Sequence, residues 1–457
     1  EFLDPEQFTE RNGLRDVWPE PFVDQSPDRI TWRGSIEAKD AGLHKFRVYA
    51  SHYVTVKVDG DVVVHRWRQN WNPYYFLFEL EMEPGVPRDV EIEWLPNGGY
   101  FRIGHLGPQP AGAADDLSLF SEVADVIDYY FVAGKSLDDV ISGYRKLTGK
   151  AVLLPRWAYG FWQSRQRYTT QQELLEVLAE YRKREIPIDN IVLDWFYWPE
   201  DAWGSHEFDA ARFPDPQGMV DSVHDMSANI MISVWPKFYP TTENYEELEA
   251  MGAVYTRNLE KETLDWVGPG YKNTFYDPYS KEARDTYWRQ MQERLDVLGF
   301  DAWWMDATEP DLHSNLSHDE RKLRMGPTAL GSGAEYFNSF ALMNAMAVYE
   351  GERNGADPDE RVFILTRSGF PGLQRYASAA WSGDVVARWD DLREQISAGL
   401  NVTLAGLPNW TFDIGGFAVE SRYTNEEPEH VPEWRELNLR WFQFGAFAPL
   451  FRSHGEY

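Results

Sequence analysis

From Pro155 onward, eight short apolar runs recur: WAYGFWQS, NIVLDW, NIMISVWP, FDAWWMD, VFILTRSG, ASAAWSGD, LPNWTFDIGG and PLFRSHG. Helical stretches such as TQQELLEVLAEYRKREI and KEARDTYWRQMQERLDVLG lie between them. A run that is apolar at nearly every position has the composition of a strand buried on both faces, as in a parallel sheet. Eight strand-helix repeats over about 300 residues predict an α/β fold, a (β/α)8 TIM barrel. A doubly wound open sheet would usually carry a Gly-rich phosphate turn after its first strand, and none is present.

Active sites on such barrels gather at the carboxyl ends of the strands. Those ends carry Gln163 and Arg165, Asp194, Trp235 and Lys237, Asp306, Arg367, Asp384, Asp413 and His454. The stretch GFDAWWMDATEPD is the sharpest case, because an aromatic-rich run stops at Asp306, Glu309 and Asp311. An ionised carboxylate beside so much apolar surface is costly unless hydrogen bonds, a metal or a substrate compensate it. Any one of these acids could simply cap the following helix. Eight polar ends converging on one rim favour a site.

Composition narrows what that site takes. The 457 residues include 20 Trp, 24 Tyr and 26 Phe, and flat aromatic faces suit sugar rings. Against 44 Lys plus Arg stand 74 Asp plus Glu, a formal net charge of −30. That balance opposes nucleic acid or an anionic membrane surface as partner. With no Cys, disulfides, thiol catalysis and Cys-ligated metals are excluded. No apolar run reaches the ~18 residues of a membrane span. The chain starts at Glu1 without Met or signal peptide and stops just after FRSHG, so a fragment of a longer protein is expected, periplasmic or secreted in location. Nothing in the sequence fixes an oligomeric state.

The amino-terminal hundred residues follow another rhythm. ITWRGSIEA, GLHKFRVYAS, VTVKVDGDVVVHRW, YFLFELEME and DVEIEWL alternate apolar with polar residues and are split by Asp-Gly, Pro-Gly and Asn-Gly-Gly turns, which predicts an all-β sandwich preceding the barrel. AGAADD reads as a linker, EVADVIDYYFVAG as a strand, and SLDDVISGYRKLTGK as a helix opened by Ser136. The expected division is residues 1–112 sandwich, 113–154 connecting strand and helix, and 155–457 barrel.

An acidic rim with aromatic walls and no nucleotide loop fits glycoside hydrolysis, which needs two carboxyl groups flanking the scissile bond. Asp306 and Asp384 are the best pair, since both follow buried strands that contain aromatic residues. Asp194 and Asp413 would accept hydrogen bonds from sugar hydroxyls, and Arg367 would orient an acid and steady its charge. A metal-dependent hydrolase built on Asp301, Asp306, Glu309, His313 and His318 is the weaker reading, because those spacings match no familiar ligand set. A silent carbohydrate-binding protein is a further alternative.

WWMDATEPD, together with IVLDW, TRSG, WSGD, DIGGF and FRSHG in that order, resembles glycoside hydrolase family 31, the retaining α-glucosidase and α-xylosidase family. The likeness covers about residues 122 to 457. It implies Asp306 as nucleophile and Asp384 as general acid/base. It also implies Asp194, Arg367 and His454 as ligands of the cleaved sugar, and Trp235, Trp304, Trp381 and Phe417 as its walls. Asp413, in the DIGGF segment, would contact ligand or hold the segment itself. No cofactor is implied, and the partner is an oligosaccharide.

Residues 8 to 110, through HKFRVYASHYVTVKVDGDVVV and EIEWLPNGG, resemble the protective-antigen type of β-sandwich module that accompanies many carbohydrate-active enzymes. Ala307-Thr308-Glu309 stands where α-glucosidases of the family commonly show Met-Asn-Glu. Joined to such a module, this form looks more like the α-xylosidases that trim xyloglucan oligosaccharides. Trp304 occupies a place where some α-xylosidases carry Lys. An α-glucosidase or α-transglucosylase is the nearest alternative.

Overall fold

The computed structural model of the chain describes residues 15–18, 28–97, 99, 101–109, 112, 121–313, 316, 318–355 and 360–456. The chain forms two compact units, one up to Ser121 together with Ser314–Asp319 and the other of Glu122–His313 with the chain from Glu320 onward.

The first unit contains β1 (Arg15–Trp18), β2 (Ile30–Ile36), β3 (Gly42–Ala50), β4 (Val54–Val58), β5 (Asp61–Arg66), β6 (Tyr74–Met82), β7 (Arg88–Trp94) and β8 (Phe101–Leu106). They form two antiparallel sheets in the orders β1-β8-β3-β6 and β2-β7-β4-β5. Val54, Val56 and Val58 alternate with half-buried Thr55 and Lys57, so one face of β4 turns inward. Rings from the two sheets meet between them: Trp32 stacks on Phe101 at 4.8 Å, and Trp94 lies 5.5 Å from the same ring. The β4–β5 turn is Asp59-Gly60 with φ of 50° and 91°, the double positive φ that a tight hairpin demands. This is the sandwich the alternating pattern predicts.

The second unit adds β9 (Phe161–Gln163), β10 (Asn190–Leu193), β11 (Asn229–Ser233), the short antiparallel pair β12 (Lys237–Phe238) and β13 (Thr274–Phe275), then β14 (Ala302–Met305), β15 (Ile364–Thr366), β16 (Ser378–Trp381), β17 (Trp410–Thr411) and β18 (Phe451–Ser453). Eight of these run parallel in the order β17-β16-β15-β14-β11-β10-β9-β18. A parallel bridge between Ile414 and Ser453 joins the two ends, so the sheet closes into the predicted barrel. Every residue of β10, β14, β15 and β16 is buried, as strands covered on both faces must be.

Helices follow the strands where local chemistry starts them. The side chains of Thr170, Asp215 and Ser280 accept from the backbone N–H of Glu173, Gly218 and Ala283 at 3.1, 2.9 and 3.3 Å, opening helices Gln171–Lys183, Pro216–Asp225 and Lys281–Arg294. Among the described residues no helix is long and apolar enough to cross a membrane.

One expectation fails. Residues 122–134 form no strand; Ile127 and Phe131 are each 86% exposed, and among the described strands none pairs with them. Apolar alternation supplies β propensity, but a strand also needs a partner edge. Helix Leu137–Thr148 forms as read, with Ser136 Oγ accepting from Asp139 N at 3.2 Å. The AGAADD linker lies outside the described residues except for Gly112.

Candidate active site

The barrel presents its charged residues where its strands stop. Asp194 directly follows β10, Asp306 follows β14, Arg367 follows β15 and His454 follows β18, while Trp235, Asp384 and Asp413 lie two or three residues past β11, β16 and β17. Alternation along β14 sorts its two tryptophans. Trp303 donates its Nε1–H to Glu352 Oε2 at 2.6 Å, on helix Phe340–Gly355. Trp304 packs edge-on against Trp381 at 5.5 Å and His454 at 5.0 Å.

Arg367 is the hub. Its Nη1 lies 3.3 Å from Asp306 Oδ1 and 3.6 Å from Asp384 Oδ1, and its Nη2 lies 2.6 Å from Glu309 Oε1 and 3.2 Å from Asp311 Oδ2. Two oxygens that share one nitrogen can be no further apart than the sum of their distances to it. That limit admits the ~5–5.5 Å at which retaining glycosidases hold their two carboxyls. Burial works against the charge of Arg367, but Asp306, Glu309, Asp384 and Asp311 outweigh it and hold its pKa above the ordinary arginine value.

Asp306 is buried, and its Oδ1 accepts from Ala307 N at 2.7 Å. Ala307 takes φ of 58°, an unusual conformation for a residue with a Cβ, which turns that amide back on the carboxylate. Burial pushes the Asp306 carboxyl up to about 7; Arg367 pulls it down, while Asp384 and Glu309 add to the rise. Asp194 repeats the motif, its Oδ1 accepting from Trp195 N at 2.6 Å. Burial, and then the charge of Asp306, raise its pKa well above the ordinary carboxylate value.

A second hub was not read from the sequence. Arg452, in β18, is fully buried, donates from Nη2 to Asp413 Oδ1, and lies 5.3 Å over Trp304 and 5.5 Å over Trp381. Burial pushes Asp413 up to about 7 against the pull of Arg452. The signal was present, since a cation within the buried run PLFRSHG requires a counterion. His454 Nδ1 shares a 2.7 Å hydrogen bond with Ser164 Oγ, and its ring stacks on Phe417 at 5.5 Å. Burial, with Arg452 adding to it, holds the His454 pKa well below its usual value, so the ring is neutral. Trp235 is buried with the Arg367 guanidinium 5.9 Å over its ring. Contact or electrostatic coupling, partly through Arg452, thus connects Asp194, Trp235, Trp304, Asp306, Arg367, Trp381, Asp384, Asp413, Phe417 and His454.

Asp301 of the metal-ligand set stands apart from Asp306 and Glu309. Asp301 sits at the opposite, amino-terminal end of β14, where its Oδ2 accepts from Ile230 N at 2.8 Å and pairs with His224 at 2.9 Å. Among the described residues the one group with metal-binding spacing is Glu427, Glu429 and His430, which shares no member with that set.

Comparison with known proteins agrees with the geometry. Residues 151–457 match the glycosyl hydrolases family 31 TIM-barrel domain. An α-xylosidase of Saccharolobus solfataricus is 42% identical over 344 residues, 74% of this chain and 43% of that protein. An uncharacterized family 31 glucosidase of Pseudescherichia vulneris is 35% identical over 73% of this chain and 60% of its own length. The crystal structure of a family 31 α-xylosidase from Xanthomonas citri superposes with a TM-score of 0.92 at 60% identity, covering 94% of this chain and 47% of that one. The chain therefore spans about half the length of the relatives it matches. Four carboxylates gathered on one arginine at the rim of a closed barrel, and a family match over residues 151–457, place the chain in glycosyl hydrolase family 31.

Proposed function

We propose that the chain is the catalytic part of a retaining, exo-acting α-glycosidase, an α-xylosidase that releases α-linked xylose from xyloglucan oligosaccharides in the periplasm or outside the cell. The observation that carries the chemistry is the sharing of Arg367 Nη1 by Asp306 and Asp384. Asp306 attacks the anomeric carbon as Asp384 gives its proton to the departing oxygen, and a covalent β-glycosyl ester forms. Asp384 then takes a proton from water, which displaces Asp306 and restores the α-anomer. Asp194, Asp413 and neutral His454 hold sugar hydroxyls, and Trp235, Trp304, Trp381 and Phe417 wall the ring. Xylose as the released sugar rests on α-xylosidases among the relatives.

An α-glucosidase or transglucosylase is the competing reading, favoured by the family 31 glucosidase among the relatives. Xylose and glucose differ by a hydroxymethyl group, which would have to fit beside Trp195, Phe196 and Trp304. Trp304 is buried, and Phe196 is pinned by two guanidinium groups, Arg212 at 4.6 Å and Arg167 at 4.8 Å, leaving that wall little freedom to yield. Turnover of aryl α-xyloside at least tenfold faster than aryl α-glucoside is expected. The opposite ranking would make the enzyme a glucosidase, and binding without turnover of either would leave a carbohydrate-binding protein.

The acid role of Asp384 has its own signature. Asp384→Ala should cost about 10²- to 10⁴-fold on a sugar leaving group and far less on an activated aryl leaving group, which needs little protonation. Equal losses on both, measured by steady-state kinetics, would assign the proton to another residue.

A further inference from the structure

Lys237 is a buried cation that the mechanism above does not use. It lies in β12, two residues past Trp235, with its side chain fully enclosed. An enclosed ammonium is costly unless something answers its charge. Among the described residues its Nζ has no hydrogen-bond partner within 3.5 Å, and Asp265 Oδ2 is 3.8 Å away, at ion-pair distance. Indoles surround it instead: the ring centroids of Trp203, Trp266 and Trp235 lie 4.2, 4.6 and 5.8 Å from Nζ. Burial pushes the ammonium down to about 8, with Asp265 and Asp311 opposing, so it stays largely charged at neutral pH.

The three rings lead outward from the catalytic charges. Trp235 lies beside Arg367 and packs 4.9 Å from Trp203 and 6.3 Å from Trp266. Trp266 also meets Trp195, the neighbour of Asp194, at 6.2 Å, and is 50% exposed. Its loop contains Gly268 and Gly270, both at positive φ, and is closed by Asp265 N donating to Tyr271 O at 3.0 Å. Asp265 gathers the loop, accepting from Val267 N at 3.2 Å, from Tyr271 N at 3.1 Å and from the Tyr239 hydroxyl.

We propose that Lys237 is a positioning residue whose ammonium, set against Trp203 and Trp266 and drawn to Asp265, fixes Trp266 as the outer wall on which a neutral leaving sugar lies. The inference rests on the glycosidase reading above. The apolar C–H face of a pyranose suits a flat indole, and a cation on the ring orients it without touching the sugar.

The test compares a substrate with a leaving sugar, α-xylosyl-1,6-glucose, against α-xylosyl fluoride, which has none. Lys237→Met should lower kcat/KM on the disaccharide about tenfold, mainly through KM, with at most a threefold change on the fluoride, and Lys237→Arg should recover most of the loss. Asp265→Asn, which leaves the lysine in place, should show the same contrast at smaller size and serves if K237M does not fold. Equal losses on both substrates, or none on either, overturn the inference. Should the unaltered chain bind the disaccharide without cleaving it, the glycosidase reading falls separately, and the tenfold contrast between unaltered chain and K237M is then read in Kd.

Discussion

Asp306→Ala is expected to abolish turnover, with kcat falling by about 10⁴- to 10⁶-fold, the scale seen when a covalent nucleophile is removed. The variant should keep its fold, because Arg367 still has Glu309, Asp311 and Asp384 to pair with. Azide added to the variant should restore cleavage of an activated aryl α-glycoside and give the β-glycosyl azide, since the small anion enters from the face that Asp306 vacates. Turnover near the unaltered level would remove Asp306 from the reaction.

The same carboxyl sets a pH dependence. It must be ionised to attack, and its raised pKa means that kcat/KM should fall as pH drops below about 7. The sign for stability is opposite. A carboxyl whose folded pKa lies above its unfolded value favours the fold while protonated; that contribution is complete below the unfolded pKa and is lost as pH rises to about 7. Asp306→Asn should therefore raise Tm at pH 8 and have no such effect at pH 4. A variant less stable than the parent at pH 8 would show that Asp306 is retained for structure rather than chemistry.

Arg452→Met should be the most destabilising single change at the rim. It removes the buried partner of Asp413 and the cation lying over Trp304 and Trp381. Breaking one side of a buried ion pair costs about 3–5 kcal/mol. For a unit of about 330 residues that corresponds to roughly 4–7 °C in Tm. The loss should be smaller at pH 5, where the stranded Asp413 is protonated, and larger at pH 8. Adding Asp413→Asn should recover part of it, because no charge is then left buried. Thermal scans of the two variants at both pH values check each step.

The barrel was legible because its strands are buried on both faces. β10, β14 and β15 read as largely apolar runs, so Asp194, Asp306 and Arg367 stand out as the first charges after them. Alternation in β4 and β7 exposed the sandwich in the same way. What stayed hidden depends on residues far apart in the chain. Arg452 gains meaning only beside Asp413, and Lys237 only inside a cage whose members come from positions 203, 235, 265 and 266. The run at 122–134 has strand chemistry but pairs with no strand among the described residues, and periodicity records composition, not partnership.

The closure of the barrel carries a consequence for biosynthesis. β9 must pair with β18, and Ser164 must meet His454 across 290 positions of sequence. At ribosomal rates of ~5–20 residues per second, the edge of β9 waits roughly 15 to 60 s for its neighbour. Throughout that interval the nascent chain displays an open, apolar strand edge, the kind that templates aggregation. Holdase chaperones should accordingly raise the soluble yield of the barrel more than that of the hairpin-built sandwich, whose strands find partners within tens of residues.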